Sequence, residues 1–399
     1  MRPTVAEIRT GSLTDNYKQL QDNVQSRAGD TAGLIAVVKA NAYGHGLALC
    51  ARALSEVGAH WLGVTSVDEA LTLRTALGRR QSSSSPPSGL TPRILVMSGY
   101  FPGEEGAVLQ NALAVQLWEP WHLSLLDAAA RRMAAPPRSV PVHLEIDTGM
   151  SRQGVAPGPA LAALLAGVGF EPDSPLFVEG VSTHFSSPES PNNGVMHTQV
   201  QQLDQALQQL LAAGIHPRYL HAGNSVNACR GLQLEALAHR AQGLGAQLLV
   251  RPGLALYGVE HAPCSLPLQP VLRWTTAITA LRNVQPGTAV GYNETFLAER
   301  PTRLALLPVG YADGLNRLLS NRGSVLVRGH RAPIVGRISM DQTILDVSAI
   351  PDVALGDKAV LLGPQAAQEI PATELANLCN TIPYEILCAI GSRVPRIAV

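Results

Sequence analysis

Residues 36–46 read AVVKANAYGHG. The apolar run that ends in Val37 and Val38 has the β-branched texture of a short buried strand. It delivers Lys39 at its mouth, followed by small residues, Tyr43, and a histidine between two glycines. An amine at the end of a core strand, with a permissive loop behind it, stands where the edge of a sheet or barrel could hold a nucleophile. Outward from this stretch the same texture recurs. Candidate strands lie near 35–38, 61–64, 94–97 and 115–118, then near 141–146, 178–183, 219–221 and 247–250. Helical patterns separate them. SLTDNYKQLQDNV sets Leu13, Tyr17, Leu20 and Val24 on one stripe, with Ser12 and Asp15 placed to cap its start. The stretch 66–77 opens with the capping box Ser66–Glu69, and 199–213 is rich in leucine. Eight strand–helix alternations predict a (β/α)8 TIM barrel.

Beyond Trp274 the texture changes. TAITAL, RLALLPV, SVLVRG, QTILDV and KAVLLG are β-like runs set apart by Gly, Pro and Asp, with little helical periodicity. The 399 residues exceed what one hydrophobic core usually serves. The expected fold is therefore α/β: an N-terminal barrel over 9–272 and a C-terminal mainly-β domain over 273–399. GRRQSSSSPPSGLTPR at 78–93 and SSPESPNNG after His184 are expected to be solvated loops without chemistry of their own.

Thirty basic residues balance thirty acidic ones, which argues against nucleic acid or an anionic membrane as the main partner. Five scattered cysteines, never in a CxxC pair, argue against a disulfide framework or a zinc site and fit a reducing compartment. MRPTVAEIRT lacks the apolar core of a signal peptide, and no 18-residue apolar span occurs, so a cytoplasmic location is expected.

In such a barrel the residues just after each strand face one rim, where active sites lie. Lys39 follows the first strand, Arg152 the fifth in DTGMSRQGV, His184 the sixth in VSTHFS, Ser225 the seventh in HAGNS, and Arg251 the eighth in LVRPGLALYG. A lone strand-end lysine is more often a solvated surface amine, and a lone histidine more often structural. Five polar residues converging from distant stretches raise the functional reading above that. Val37 and Val38 would desolvate Lys39 and depress its pKa, freeing the amine to condense with an aldehyde. The rim near the seventh and eighth strands is the recurring phosphate site of this barrel, where Ser225 and the backbone at Gly253 and Leu254 offer neutral donors. An aldehyde-accepting lysine beside a phosphate cradle points to pyridoxal 5'-phosphate.

AVVKANAYGHG, HAGNS, VRPGLALYG, VGYNETF, GRISMDQTILDV and NTIPYEILCAIGSRVPR occur in the order found in the pyridoxal-phosphate-dependent alanine racemases, which this chain closely resembles from PTVAEI to RVPR. The resemblance implies a barrel plus a C-terminal β domain, with residues 2–8 pairing in the second domain. It implies a homodimer with shared sites, a small amino-acid substrate, and supply of D-alanine for peptidoglycan. Lys39 then resembles the lysine that carries the cofactor and acts as one base, and Tyr292 the opposing base, supplied by the partner subunit. Arg251 resembles the residue bonded to the pyridine nitrogen, and His184 the histidine beside the ring. Tyr43, Asn224, Ser225, Gly253, Leu254 and Tyr384 match cofactor-binding positions. Arg152 matches the arginine bonded to the catalytic phenol. Met340 matches the partner-subunit residue whose backbone meets the substrate carboxylate, with Asp341 beside it.

One position departs from the common pattern. Many relatives carry a carbamylated lysine seven residues before the arginine, where this chain has Glu145; the carboxylate is expected to hold Arg152, directly or through one water. The spacing from HAGNS to Arg251 also implies an insertion around 230–245. A barrel decarboxylase of basic amino acids would need an acidic partner where Arg251 stands. A cofactor carrier would have the barrel alone. A broader serine racemase is separated poorly by motifs, although Tyr384 favours alanine.

Overall fold

The computed structural model describes residues 2–78, 91–167, 169, 171–187, 194–259 and 264–399. The Ser/Pro-rich stretch therefore lies outside the described residues at 79–90, as does 188–193 in the loop after His184. Strand β1 (Val5–Ile8) leads into a helix over Thr10–Ala28, whose stripe of Leu13, Tyr17, Leu20 and Val24 is buried as its spacing predicts. The helix starts two residues before Ser12, and no side chain caps it. Arg9, anchored by its N–H to Val271 O, supplies the first carbonyl to Leu13, so Ser12 and Asp15 lie inside the helix.

Eight parallel strands close a barrel: β2 (Gly33–Val37), β3 (Trp61–Val64), β4 (Arg93–Val96), β5 (Ala114–Leu117), β6 (Val140–Ile146), β7 (Leu176–Thr183), β8 (Tyr219–His221) and β9 (Gln247–Val250). Closure is made by β9 on β2, with Gly33 opposite Leu249 and Leu34 opposite Val250. All eight sit within two residues of the apolar runs that announced them. Strand β10 (Leu272–Ala277) begins a second, β-rich region, whose largest sheet runs in the order 330–333, 324–327, 358–365, 272–277, 5–8, 396–398. The first strand is thus stitched into the second region, antiparallel to β10 and parallel to 396–398. Glu7 fixes that join, its carboxylate meeting Arg273 at 2.5 Å and Lys358 at 2.9 Å. No helix among the described residues is long and apolar enough to cross a membrane.

The segment after β2 is not the permissive loop its small residues announce. Ala40, Asn41, Ala42 and Tyr43 all adopt left-handed backbone, with φ of 52°, 55°, 55° and 51°. Each such L-residue costs about 1–2 kcal/mol, so the surroundings must impose the turn. Glu69 accepts from Ala40 N at 2.6 Å, and Asn41 Oδ1 accepts from Leu47 N at 2.8 Å. The second region closes the other side. Arg396 Nε donates to Gly44 O at 2.9 Å, and a Cβ on Gly44 would overlap the carbonyl of Leu387. Ser66 caps the helix over Val67–Leu77 as expected, but the Glu69 carboxylate does not return to Ser66: it takes Thr65 N and Oγ1 together with Ala40 N.

Replacing Gly44 by Ala should therefore lower stability by more than about 1 kcal/mol, since both its φ of +81° and its lack of space forbid a side chain. Gly29→Ala, at φ +90° in open space, should cost clearly less. Urea unfolding of the two variants compares them directly; equal midpoints would show that the contact with Leu387 does not constrain the turn.

Candidate active site

The left-handed turn sets two side chains at once. Lys39 leaves the end of β2 half-buried, and Tyr43 turns inward against Tyr257 and Tyr384, with ring centroids 5.2 and 5.9 Å away. Burial pulls the Lys39 amine below its ordinary pKa; Arg152 adds to the fall, Glu69 opposes it and Arg251 adds again. Burial pushes the Tyr43 phenol up, so it stays a neutral donor. Gly253 faces the Tyr43 hydroxyl so closely that any Cβ there would overlap it. Ser225 Oγ accepts from Gly253 N at 3.0 Å and Ala255 N at 3.2 Å, and its own O–H remains available to donate. Leu254 opens the short 3-10 turn that follows. Tyr43, Ser225, Gly253, Leu254 and Tyr384 thus form one neutral cradle beside Lys39. Asn224 Oδ1 caps the helix over Ser225–Arg230 through Val226 N, which leaves the amide Nδ2 of that side chain as its donor.

Arg251 follows β9 and is fully enclosed, its guanidinium held by acceptors on β7 and β8. It donates to His221 O at 2.5 Å, His221 Nδ1 at 2.9 Å and Thr183 O at 2.6 Å, with His184 Nδ1 at 3.4 Å. Burial lowers its pKa, Glu145 raises it and Arg152 lowers it, yet a guanidinium stays charged at neutral pH. Beside this cation, His184 is pulled down to about 3 by burial, then by Arg251, Arg152 and Lys39, and is neutral. Arg152 is exposed on a loop shaped by Asp147, whose carboxylate collects the amides of Gly149, Met150 and Ser151 at 2.9–3.0 Å.

Glu145 and Arg152 make no direct bond. The Glu145 carboxylate is buried inside the barrel and accepts from Gln116 Nε2 and Ser182 Oγ. Burial raises its pKa against the pull of Arg251, and Arg152 acts on it less strongly than either Arg251 or Ser182. The reason is alternation: Glu145 points inward from β6, while Arg152 stands beyond the end of that strand. Tyr292 and Met340 are not at this rim. Tyr292 is 67 % exposed and Met340 53 %, both in the second region, and neither shares a described hydrogen bond with the barrel residues. Asp341 pairs with Arg393 at 2.7 Å. Sequence reading passed over His143, Glu179, His221, Gln116 and Ser182, all buried within the barrel. Their signal was a polar residue inside an otherwise apolar parallel strand, as in VHLEI and VEGVST.

Comparison with known proteins matches residues 8–261 to the family model for the alanine racemase N-terminal domain and residues 271–398 to that for its C-terminal domain. The alanine racemase of Symbiobacterium thermophilum is 40% identical over 99% of this chain and 97% of its own. The solved alanine racemase of Streptomyces coelicolor superposes with a TM-score of 0.85 at 32% identity, covering 100% of this chain and 98% of that one. This chain belongs to the alanine racemase family. A further family structure, that of Bartonella henselae with covalently bound pyridoxal phosphate, has a TM-score of 0.81 at 29% identity, covering 100% of both chains. At position 145 this racemase carries a carboxylate held in the barrel by two neutral donors, Gln116 and Ser182.

Neutral buried histidines make acid stability a test of these environments. His45 is held near about 4 and His184 near about 3, chiefly by burial, against the usual 6.5. Below pH 6.5 the unfolded chain binds protons that the folded one refuses, so stability falls as pH falls through that range, by up to about 1.4 kcal/mol per pH unit for each such histidine. Glu179, Glu7 and Asp313, all lowered, act in the same direction at lower pH, and among the described carboxylates only Glu145 opposes. The urea midpoint should drop clearly between pH 7 and pH 5; an unchanged midpoint would mean that these histidines are protonated in the fold.

Proposed function

We propose that this racemase works as a cytoplasmic homodimer whose active sites each join the barrel rim of one subunit to the second domain of the other. As a member of its family the chain is a pyridoxal-phosphate-dependent isomerase that interconverts L- and D-alanine, the source of D-alanine for peptidoglycan. The observation that carries the reading is a desolvated lysine, flanked by cations, beside a close-packed neutral cradle. The rim fits the cofactor. Gly253 admits the Tyr43 hydroxyl only because it lacks a side chain, and the cradle supplies neutral donors suited to a phosphate. Tyr43, Asn224, Ser225, Gly253, Leu254 and Tyr384 would hold the phosphate end, His184 would lie beside the ring and Arg251 would meet its nitrogen. When bound, pyridoxal 5'-phosphate supplies a sink for the electron pair left at the α-carbon when its proton departs.

Inverting a stereocentre requires a proton to leave one face and another to arrive on the opposite face. Lys39, its pKa depressed, can take or give the proton on one face. Tyr292 of the partner subunit would serve the other, with Arg152 close enough to favour the phenolate by opposite charge. Arg251, always charged, would donate a hydrogen bond to the ring nitrogen and disfavour a proton there, which would limit how strongly charge is drawn away from the α-carbon. Met340 of the partner, with Asp341 beside it, would meet the substrate carboxylate.

Several features support the shared site. Tyr292, Tyr311 and Met340 are exposed on loops that pack together: Gly336 abuts Val290, and Gly310 abuts Ser339 and Met340. An exposed aromatic and apolar surface of this kind is a common mark of association. Mixing inactive Lys39→Ala with inactive Tyr292→Phe subunits should restore part of the activity, because half of each heterodimer's sites would be intact. Loss of the general base typically costs about 10²–10⁴-fold, so the recovery stands well above either parent. Parents that remain inactive after demonstrated subunit exchange would refute the arrangement.

A further inference from the structure

The interior of a parallel barrel is ordinarily filled by layers of branched apolar side chains. Here a line of buried polar groups crosses it from the rim to the opposite end. At the rim, Arg251 Nη1 faces His221 Nδ1 at 2.9 Å. His221 Nε2 faces His143 Nδ1 at 2.8 Å. His143 Nε2, fully buried and without another described partner, stands 3.4 Å from Glu179 Oε2. Glu179 is gripped by both terminal nitrogens of Arg93, Nη1 and Nη2, and Arg93 stacks over Trp61 at 4.1 Å near the base of the barrel.

The backbone is built for this line. The β6–β7 pairing slips between Val142 and His143, so that Val142 faces Val178 while His143 faces Gly180. Glu179 is the extra residue of that bulge, and such irregularities re-aim a side chain. Gly180 opens the passage: a Cβ there would overlap the His143 ring, which must cross β7 to reach His221 on β8.

Each link can run in only one direction. An arginine has no acceptor, so His221 must present a lone pair at Nδ1 and carry its proton on Nε2. That proton points at His143, which must accept through Nδ1 and carry its own proton on Nε2. The carboxylate of Glu179 is the group able to receive it. We propose that Glu179 and His143 are positioning residues that hold Arg251 in one orientation by fixing the tautomers of both histidines from the far end of the barrel. Without the full carboxylate, His143 is free to place its proton on Nδ1. His221 must then reverse as well, and its Nδ1–H would confront the guanidinium donor to donor. The effect on turnover rests on the role given above to Arg251; the tautomers do not.

Neutron diffraction from the cofactor-loaded wild-type enzyme locates the ring protons directly and needs no variant. Both His143 and His221 should be neutral and protonated on Nε2; a proton on Nδ1 of either ring overturns the proposal. In Glu179→Gln, which has one acceptor oxygen where the carboxylate has two, nitrogen NMR should show His221 partly reversed to the Nδ1–H form. Its kcat for alanine should fall about 10–100-fold, the range typical of partners behind a ligand, with KM little changed. Wild-type tautomers together with wild-type kcat in this variant would also overturn the proposal. Reversed tautomers with unchanged kcat would uphold the relay and refute the role of Arg251 instead.

Discussion

Four consecutive left-handed residues, Ala40 to Tyr43, are the constraint on which the rim depends. They let one short segment project Lys39 from the mouth of β2 and bury Tyr43 beside Gly253. The conformation is unfavourable in isolation and is imposed from both sides. Glu69 of the barrel holds Ala40 N, and the second region presses on Gly44 through Arg396 and the Leu387 carbonyl. The β domain is therefore part of the active-site geometry even within one chain, because it closes the outer side of the turn at Gly44.

Electrostatics follows from the same enclosure. Lys39, Arg152 and Arg251 gather at one rim: burial, then the charges of Arg152 and Arg251, pull the Lys39 amine down, and burial, then the charge of Arg152, does the same to Arg251 against the pull of Glu145. The amine yields, since a lysine can lose its proton at accessible cost, whereas a guanidinium cannot. The histidines yield too and stay neutral. Two inward carboxylates balance the arginines: Glu145, among neutral donors near the rim, and Glu179, lower in the barrel. Burial pushes Glu179 up, but His143 and Arg93 outweigh it and hold it at about 2.

Much of this was legible in the sequence because barrel strands buried on both faces are continuous apolar runs, and their ends announce the rim. The convergence of Lys39, His184, Ser225 and Arg251 followed from strand order alone. The left-handed turn did not, since of its residues only Asn41 is comfortable there and the clamp comes from Arg396, 352 positions from Gly44. Glu69 looked like half of a capping box, and local spacing gave no sign that it would reach Ala40. Glu145 was assigned to Arg152 by its separation along the chain, whereas the inward pleat of β6 turns it toward Gln116 and Ser182. Glu179 was invisible for a related reason: only a bulge, which spacing does not reveal, aims it at His143.

The roles proposed for Lys39 and Tyr292 put two proton-transfer groups on opposite faces of the substrate. The most direct test follows L-alanine in D2O with the wild-type enzyme and measures the isotope at the α-carbon of the first D-alanine formed. Two separate bases require that the removed proton stay on one side while the new one comes from the other, so the earliest product should carry solvent deuterium. D-alanine that retains the substrate's own α-proton would mean that a single group carried it across, and would contradict the roles assigned to Lys39 and Tyr292.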